Sequence, residues 1–199
     1  MTEARKVPLL NVANILTMAR LALVPVFLFS LFEAGGFDTT WRLIAFGIFA
    51  VASFTDHIDG TLARKHGLIT DFGKIADPIA DKALTGSALV GLSILDVLPW
   101  WITIVIAVRE VGVTLLRFWV IRYGVIPASR GGKAKTLVQT VAIGLFVLPL
   151  DDLPAAAPVD WLRWGVLYVA VALTVVTGFD YVLRAVRLRA TAAALPDGS

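Results

Sequence analysis

The chain has 199 residues, 58% hydrophobic and 17% charged, with a mean hydropathy of +0.81. Soluble domains run about 45–50% apolar with about a quarter charged, so the solvent is a lipid bilayer; at about 20 residues per span, this length holds roughly six spans and no second soluble domain. The absence of cysteine excludes disulfides and thiolate metal sites, and the net charge of +3 fits cytoplasmic Lys and Arg beside anionic lipid without invoking nucleic acid.

Residues 1–13 read as a juxtamembrane segment, in which Val7, Leu9, Leu10 and Val12 interleave with Asn11 and Asn14 along the membrane surface; the other reading is a mobile tail. Arg5 and Lys6 precede the first apolar run, but that run is too long for a signal peptide and carries Arg20, so it is expected to be retained. Apolar stretches interrupted by charge or Pro/Gly predict transmembrane helices at 14–33, 41–64, 73–95, 100–121, 134–150 and 161–184, with a tail at 185–199. The fold class is all-α integral membrane, six helices in one domain. No internal repeat is visible.

Basic residues set the orientation. Arg5, Lys6, Arg64, Lys65, Lys74, Arg122, Arg130, Lys133, Lys135, Arg184, Arg187 and Arg189 fall on one side. The other holds only Arg42 and Arg163 among Glu33, Asp38, Asp96, Asp151, Asp152 and Asp160. Both termini are therefore expected in the cytoplasm of a multi-pass cell-membrane protein. Trp41, Trp100, Trp101, Trp161 and Trp164 fall where helices re-enter from the outer face, the headgroup level that indoles prefer.

The second and third segments carry carboxylates that a bilayer disfavours. Helical spacing puts Asp56, Asp59, Gly60 and Ala63 on one stripe, and Gly73, Asp77 and Asp81 on another. A short turn near Gly67 makes these helices antiparallel neighbours, so four carboxylates are expected to converge at the cytoplasmic end. Four ionised Asp facing lipid cost on the order of 10 kcal/mol, and Arg64, Lys74 and Lys82 sit off the stripes. Hard Mg²⁺ or Mn²⁺ fits the oxygen donors, and two such ions can bridge a phosphoryl group. Gly60, Ala63 and Gly73 leave room for a ligand against the backbone, or else for close helix packing. Pro78 is expected to kink the helix between Asp77 and Asp81.

As a string the stretch is D-x2-D-G-x2-A-R-x8-G-x3-D-x3-D, at Asp56, Asp59, Gly60, Ala63, Arg64, Gly73, Asp77 and Asp81. It resembles the signature of the CDP-alcohol phosphatidyltransferases at every specified position. Asn14-Ile15-Leu16-Thr17 before Arg20, then Arg109-Glu110, Arg117, and Gly132-Lys133 with Lys135, Thr136 and Gln139 are similar to the branch using sn-glycerol 3-phosphate. The resemblance covers nearly the whole chain apart from 150–160 and the last dozen residues. It implies the CDP-alcohol phosphotransferase fold, usually dimeric, with a polar cavity open to the cytoplasm. It also implies two Mg²⁺ or Mn²⁺ ions on Asp56, Asp59, Asp77 and Asp81, with Asp81 as general base for the acceptor hydroxyl. The cytidine nucleotide of CDP-diacylglycerol would lie over Gly60, Ala63 and Gly73, with Arg64 near the diphosphate. The acceptor alcohol attacks the lipid-linked phosphorus and CMP leaves.

The acceptor is read from the fourth and fifth segments. Arginine within an apolar span marks a functional site, and Arg109, Arg117, Lys133 and Lys135 suit a phosphate dianion better than a neutral alcohol. With the resemblance this selects sn-glycerol 3-phosphate, giving phosphatidylglycerol phosphate; phosphatidylglycerol, as in cardiolipin synthesis, and inositol phosphate remain the alternatives. Glu110 has a second reading as a structural partner for a cation, and Lys133 and Lys135 one as cytoplasmic anchors. Gly131-Gly132-Lys133-Ala134-Lys135-Thr136 is no phosphate loop, because Ala134 occupies the position after the lysine that such a loop fills with Ser/Thr. His57 and His66 lack partners at ligand spacing, and Asp151-Asp152 reads as a solvated outer loop. A UbiA-like prenyltransferase would place its Asp motifs in separate halves, and a divalent-cation transporter would repeat its site about the midplane.

Overall fold

The computed structural model describes residues 11–66, 70–120, 130–150 and 156–194; the side chains of 13, 57–66, 71, 72, 74, 75, 130, 156, 157 and 191–194 are outside that description. The juxtamembrane residues 1–10 and Asp151-Asp152 also lie outside it, as do the side chains of Arg64, His57 and His66. Six α-helices are described: α1 Val12–Phe32, α2 Thr39–His66, α3 Asp71–Ile94, α4 Trp100–Val120, α5 Arg130–Val147 and α6 Ala156–Ala194. A short 3₁₀ turn, Glu33–Gly36, follows α1.

Helix ends follow local chemistry. Asn11 caps α1 by accepting from Asn14 N at 2.9 Å, and Asp38 accepts from Trp41 N at 3.0 Å at the start of α2. Past α1 the chain turns through Ala34, Gly35 and Gly36, at φ 51°, 76° and 82°, a left-handed run that two glycines make feasible. A Cβ on Gly36 would meet the Leu95 methyl carbons at 2.5 and 2.7 Å and would displace that side chain. α3 ends where Val97 N bonds Leu92 O at 2.9 Å, with Asp96 at φ 56°. α3 runs on through Pro78. α5 begins at Arg130, so Gly131 and Gly132 are helical, which removes the phosphate-loop reading on structural grounds as well.

α6 differs most from its hydropathy segment. Its 39 residues span about 58 Å at about 1.5 Å per residue, against about 30 Å of hydrocarbon. The apolar pattern stops at Arg184, but charge marks the edge of the bilayer, whereas Ala, Leu and Arg continue a helix well. Arg184 pairs with Asp180 one turn earlier at 2.9 Å.

By contact the chain forms two compact units, described separately. The first holds α1, α2, α3 and the end of α5. α1 packs on both α2 and α3; Phe27, Leu31, Phe49, Leu84, Leu92 and Phe146 fill the core, with Ala45, Ala52, Ala80 and Ala88 buried among them. Phe27 and Phe49 have ring centroids 5.9 Å apart. Arg42 is buried, and it donates to Val147 O at 3.0 Å, to Gly36 O at 3.4 Å and to Phe146 O. The guanidinium thereby satisfies carbonyls that the end of α5 leaves open, where the helix dipole favours a cation.

The second unit holds α4, the first part of α5 and nearly all of α6. Ile102, Ile106, Val120, Ala142, Leu167 and Ala170 are buried there. Arg163 pairs with Asp160 at 2.7 Å, and the Arg189 guanidinium lies 4.9 Å over the Trp119 ring.

Polarity is distributed as in a membrane protein. Phe54 is 68% exposed, Phe118 68% and Val108 66%, while Arg20, Arg42, Lys135 and Gln139 are buried. In water this arrangement would expose far more apolar surface than soluble monomers tolerate; in lipid the apolar side chains face their own solvent. Two stretches, Asn14–Gly36 over α1 and the turn after it and Pro158–Ala190 in α6, are long and apolar enough to cross a membrane. The Asp, Arg and Lys residues of interest lie mostly on the other four helices.

Candidate functional site

The carboxylates lie in the first unit. Asp56 is on α2, with Asp77 and Asp81 on α3. Thr70 starts α3 by accepting from Gly73 N at 3.0 Å, and its hydroxyl donates to Asn14 Oδ1 of α1 at 2.9 Å. Thr17, one turn on, donates to Asp77 Oδ1 at 2.5 Å. Arg20 follows one turn later, buried, with Nη1 on Asp56 Oδ1. Three polar side chains at a spacing of three thus tie α1 to the ends of both carboxylate helices.

Gly73 belongs to the same pocket: a Cβ there would meet Asn14 Oδ1 at 2.9 Å, Thr70 Oγ1 at 3.3 Å and Asp77 Oδ2 at 3.7 Å. The glycine keeps a space lined by three oxygens of three residues. Asp59, Gly60, Ala63 and Arg64 lie on α2, with side chains outside the described residues. Among the described residues no three carboxylates or histidines stand together as a group able to hold an ion. The expected convergence of Asp56, Asp59, Asp77 and Asp81 involves Asp59, whose side chain lies outside the described residues; of the others, Asp56 meets Arg20 and Asp77 meets Thr17.

The donor chemistry still fits a hard divalent cation. The available atoms are carboxylate and hydroxyl oxygens, and no sulfur or described imidazole is present. A cation already rests on Asp56 in the form of the Arg20 guanidinium, and the Gly73 space has an oxygen lining. Among the described residues the second oxygens of Asp56 and Asp77 carry no hydrogen bond or ion pair.

The basic cluster is in the second unit. Arg109 on α4 donates through Nη1 to Glu110 Oε1 at 3.0 Å and through Nη2 to Thr177 Oγ1 of α6 at 2.9 Å. Thr177 donates its own proton to Leu173 O at 2.6 Å, so it meets Arg109 as an acceptor. Buried Lys135 on α5 bonds the same Glu110 oxygen. Gly178 gives the arginine stem its path, since a Cβ there would lie 3.0 Å from Arg109 Cγ. Arg109 Nε is buried without a hydrogen-bond partner among the described residues.

Of the four acceptor candidates, Arg109 and Lys135 therefore meet around Glu110, which realises the structural reading of that glutamate and leaves the trio at net +1. Arg117, in the last turn of α4, and Lys133, in the first turn of α5, are exposed. The resemblance had included Asn14, Thr17 and Arg20 without giving them a role; the available signal was polar residues at helical spacing in an otherwise apolar run. Thr177 and Gly178 gave none, because both are ordinary in a membrane helix.

The family model described as CDP-alcohol phosphatidyltransferase matches residues 10–176. The chain is 58% identical over 177 residues to "Probable phosphatidylglycerophosphate synthase" of Mycobacterium tuberculosis H37Rv, covering 89% of this chain and 82% of that protein. It is 39% identical over 181 residues to the CDP-diacylglycerol–glycerol-3-phosphate 3-phosphatidyltransferase of Bacillus subtilis, covering 86% and 93%. To the cardiolipin synthase (CMP-forming) of Streptomyces coelicolor it is 37% identical over 144 residues, covering 70% and 66%.

Proposed function

The chain belongs to the CDP-alcohol phosphatidyltransferase family, and from that premise we propose that it transfers the phosphatidyl group of CDP-diacylglycerol to sn-glycerol 3-phosphate, releasing CMP and phosphatidylglycerol phosphate. The observation that carries the acceptor is the 58% identity to a relative named for phosphatidylglycerophosphate synthesis, across 82% of that relative's length. The basic residues support it: Lys133 is exposed in the first turn of α5, where the helix dipole favours an anion beside it, and the Arg109–Glu110–Lys135 trio carries a net +1.

Asp56, Asp59, Asp77 and Asp81 would hold two divalent ions, Mg²⁺ or Mn²⁺, which when bound would supply positive charge to offset the negative charge of the transferring phosphoryl group. Asp81 takes the proton of the acceptor hydroxyl as its oxygen bonds to the lipid-linked phosphorus. The bond from that phosphorus to the CMP oxygen breaks, and CMP leaves as the anion. Gly60, Ala63 and Gly73 make room for the nucleotide, and Arg64 stands by the diphosphate. Arg109, Arg117, Lys133 and Lys135 orient the acceptor through its phosphate, which stays unreacted. Positioning and fixed charge carry most of the acceleration.

An acceptor panel tests this assignment. Purified protein with CDP-diacylglycerol is expected to release CMP fastest with sn-glycerol 3-phosphate and to yield a headgroup with two phosphates. Faster turnover of phosphatidylglycerol or inositol phosphate would keep the family chemistry and remove this acceptor.

The enzyme works in the cell membrane as a homodimer, with both termini and the carboxylate site on the cytoplasmic side. The distribution of basic residues supports this orientation, and the two outer arginines, Arg42 and Arg163, have structural partners. As the chain has no native cysteine, a Ser199→Cys variant should react with an impermeant maleimide only after the cells are permeabilised. Labelling in intact cells would reverse the orientation.

A further inference from the structure

We propose that α1 is the positioning element of the carboxylate site, with Thr17 and Arg20 each fixing one oxygen of a carboxylate so that the other oxygen meets the divalent ion in a set direction. Thr17 Oγ1 donates to Asp77 Oδ1 at 2.5 Å, and Arg20 Nη1 holds Asp56 Oδ1. The two donors sit three residues apart on one helix, while their acceptors belong to two different helices, 21 residues apart in sequence (77 minus 56). One helix therefore sets the relative placement of two carboxylates that belong to two different helices.

The burial pattern separates holder from ligand. The Arg20 side chain is 1% exposed and Asp56 38%. A guanidinium so enclosed has no water to replace its carboxylate, so it stays where it is, and the exposed side of Asp56 remains for an incoming ion. At Asp77, Oδ1 is taken by Thr17, whereas Oδ2 lies on the Gly73 side, 3.7 Å from the point a Cβ would occupy. The strip is itself anchored: Asn14 accepts from Thr70, the residue that caps α3. Partners behind the ligands orient them in this way in many metal sites, and their loss costs about 10- to 100-fold in affinity.

The inference rests on the metal-dependent reading above, and it is tested without turnover. Mn²⁺ binding to the detergent-solubilised full chain is followed by electron paramagnetic resonance, with no substrate present. Thr17→Val keeps shape and removes the donor; affinity is expected to fall about 10- to 100-fold. Thr17→Ser restores the hydroxyl and should return affinity to within about threefold of the parent. Arg20→Lys keeps the charge but loses the planar fork, and should weaken Mn²⁺ binding with a helical circular dichroism spectrum unchanged. If Thr17→Val binds Mn²⁺ like the parent, or if Ser and Val weaken it equally, Thr17 only packs and the positioning role is overturned. If the parent chain itself binds no Mn²⁺, the metal-dependent reading fails first and takes this inference with it.

Discussion

Asp77→Asn is expected to lower CMP release by about 10²–10³-fold or more, the loss seen when one preorganised charge-stabilising group is taken from a transition state. At about 1.4 kcal/mol per factor of ten, that is roughly 3–4 kcal/mol of barrier. Asparagine keeps the size and the Thr17 contact through its carbonyl oxygen, so the fold of the first unit is retained and the missing element is charge. Asp56→Asn and Asp59→Asn should behave alike. Asp81→Asn should abolish turnover but retain more Mn²⁺ than Asp77→Asn, because Asp81 is assigned the proton as well as the ion. Chelation by EDTA should stop the wild-type reaction, and Mg²⁺ or Mn²⁺ should restore it. A rate within tenfold of wild type for Asp56→Asn, Asp59→Asn or Asp77→Asn, or full activity in EDTA, would remove the two-metal reading.

Arg109→Ala is expected to raise KM for sn-glycerol 3-phosphate by about one to two orders of magnitude, since a hydrogen bond to a charged group contributes about 1.5–3 kcal/mol. KM for CDP-diacylglycerol should move less than twofold. The structure makes the control specific: Glu110 keeps Lys135 as partner after the arginine is gone, so that carboxylate is not left alone. Removing Lys135 is a different experiment, because that ammonium is buried and breaking a buried pair costs about 3–5 kcal/mol of stability. Equal loss toward both substrates in Arg109→Ala would make the arginine a packing element between α4 and α6.

The sequence made the helices legible because bilayer-length apolar runs carry their own punctuation: α4 starts at Trp100 and α2 at Thr39, beside the expected 100 and 41. It overshot at α5, whose apolar run continues to Leu150 while the helix stops at Val147, and undershot at α6 for the reason given above. The signature aspartates stood out because ionised groups within apolar runs are costly and so rarely accidental. What surrounds them was harder to read. Arg20 looked like one more charge in the first run until α1 was placed against α2, because an ion pair 36 residues apart leaves no periodic trace. Glu110 beside Arg109 admitted both a site and a structural reading, and only the arrival of Lys135 from α5 shows it shared by two cations. Thr177 is hidden further, since a threonine in a membrane helix usually bonds its own backbone, as this one also does.

The buried Arg42 bears on how the chain is built. Its carbonyl partners at Phe146 and Val147 lie 104 and 105 residues downstream. During synthesis α1, α2 and α3 are complete well before those carbonyls exist, so the nascent bundle carries a guanidinium near the start of α2 with Gly36 O in place and its two α5 partners still untranslated. Docking of α5 then supplies them. The arginine thus ties an early helix to a late one, and a chain released before α5 would lack the two carbonyls that this guanidinium receives from Phe146 and Val147.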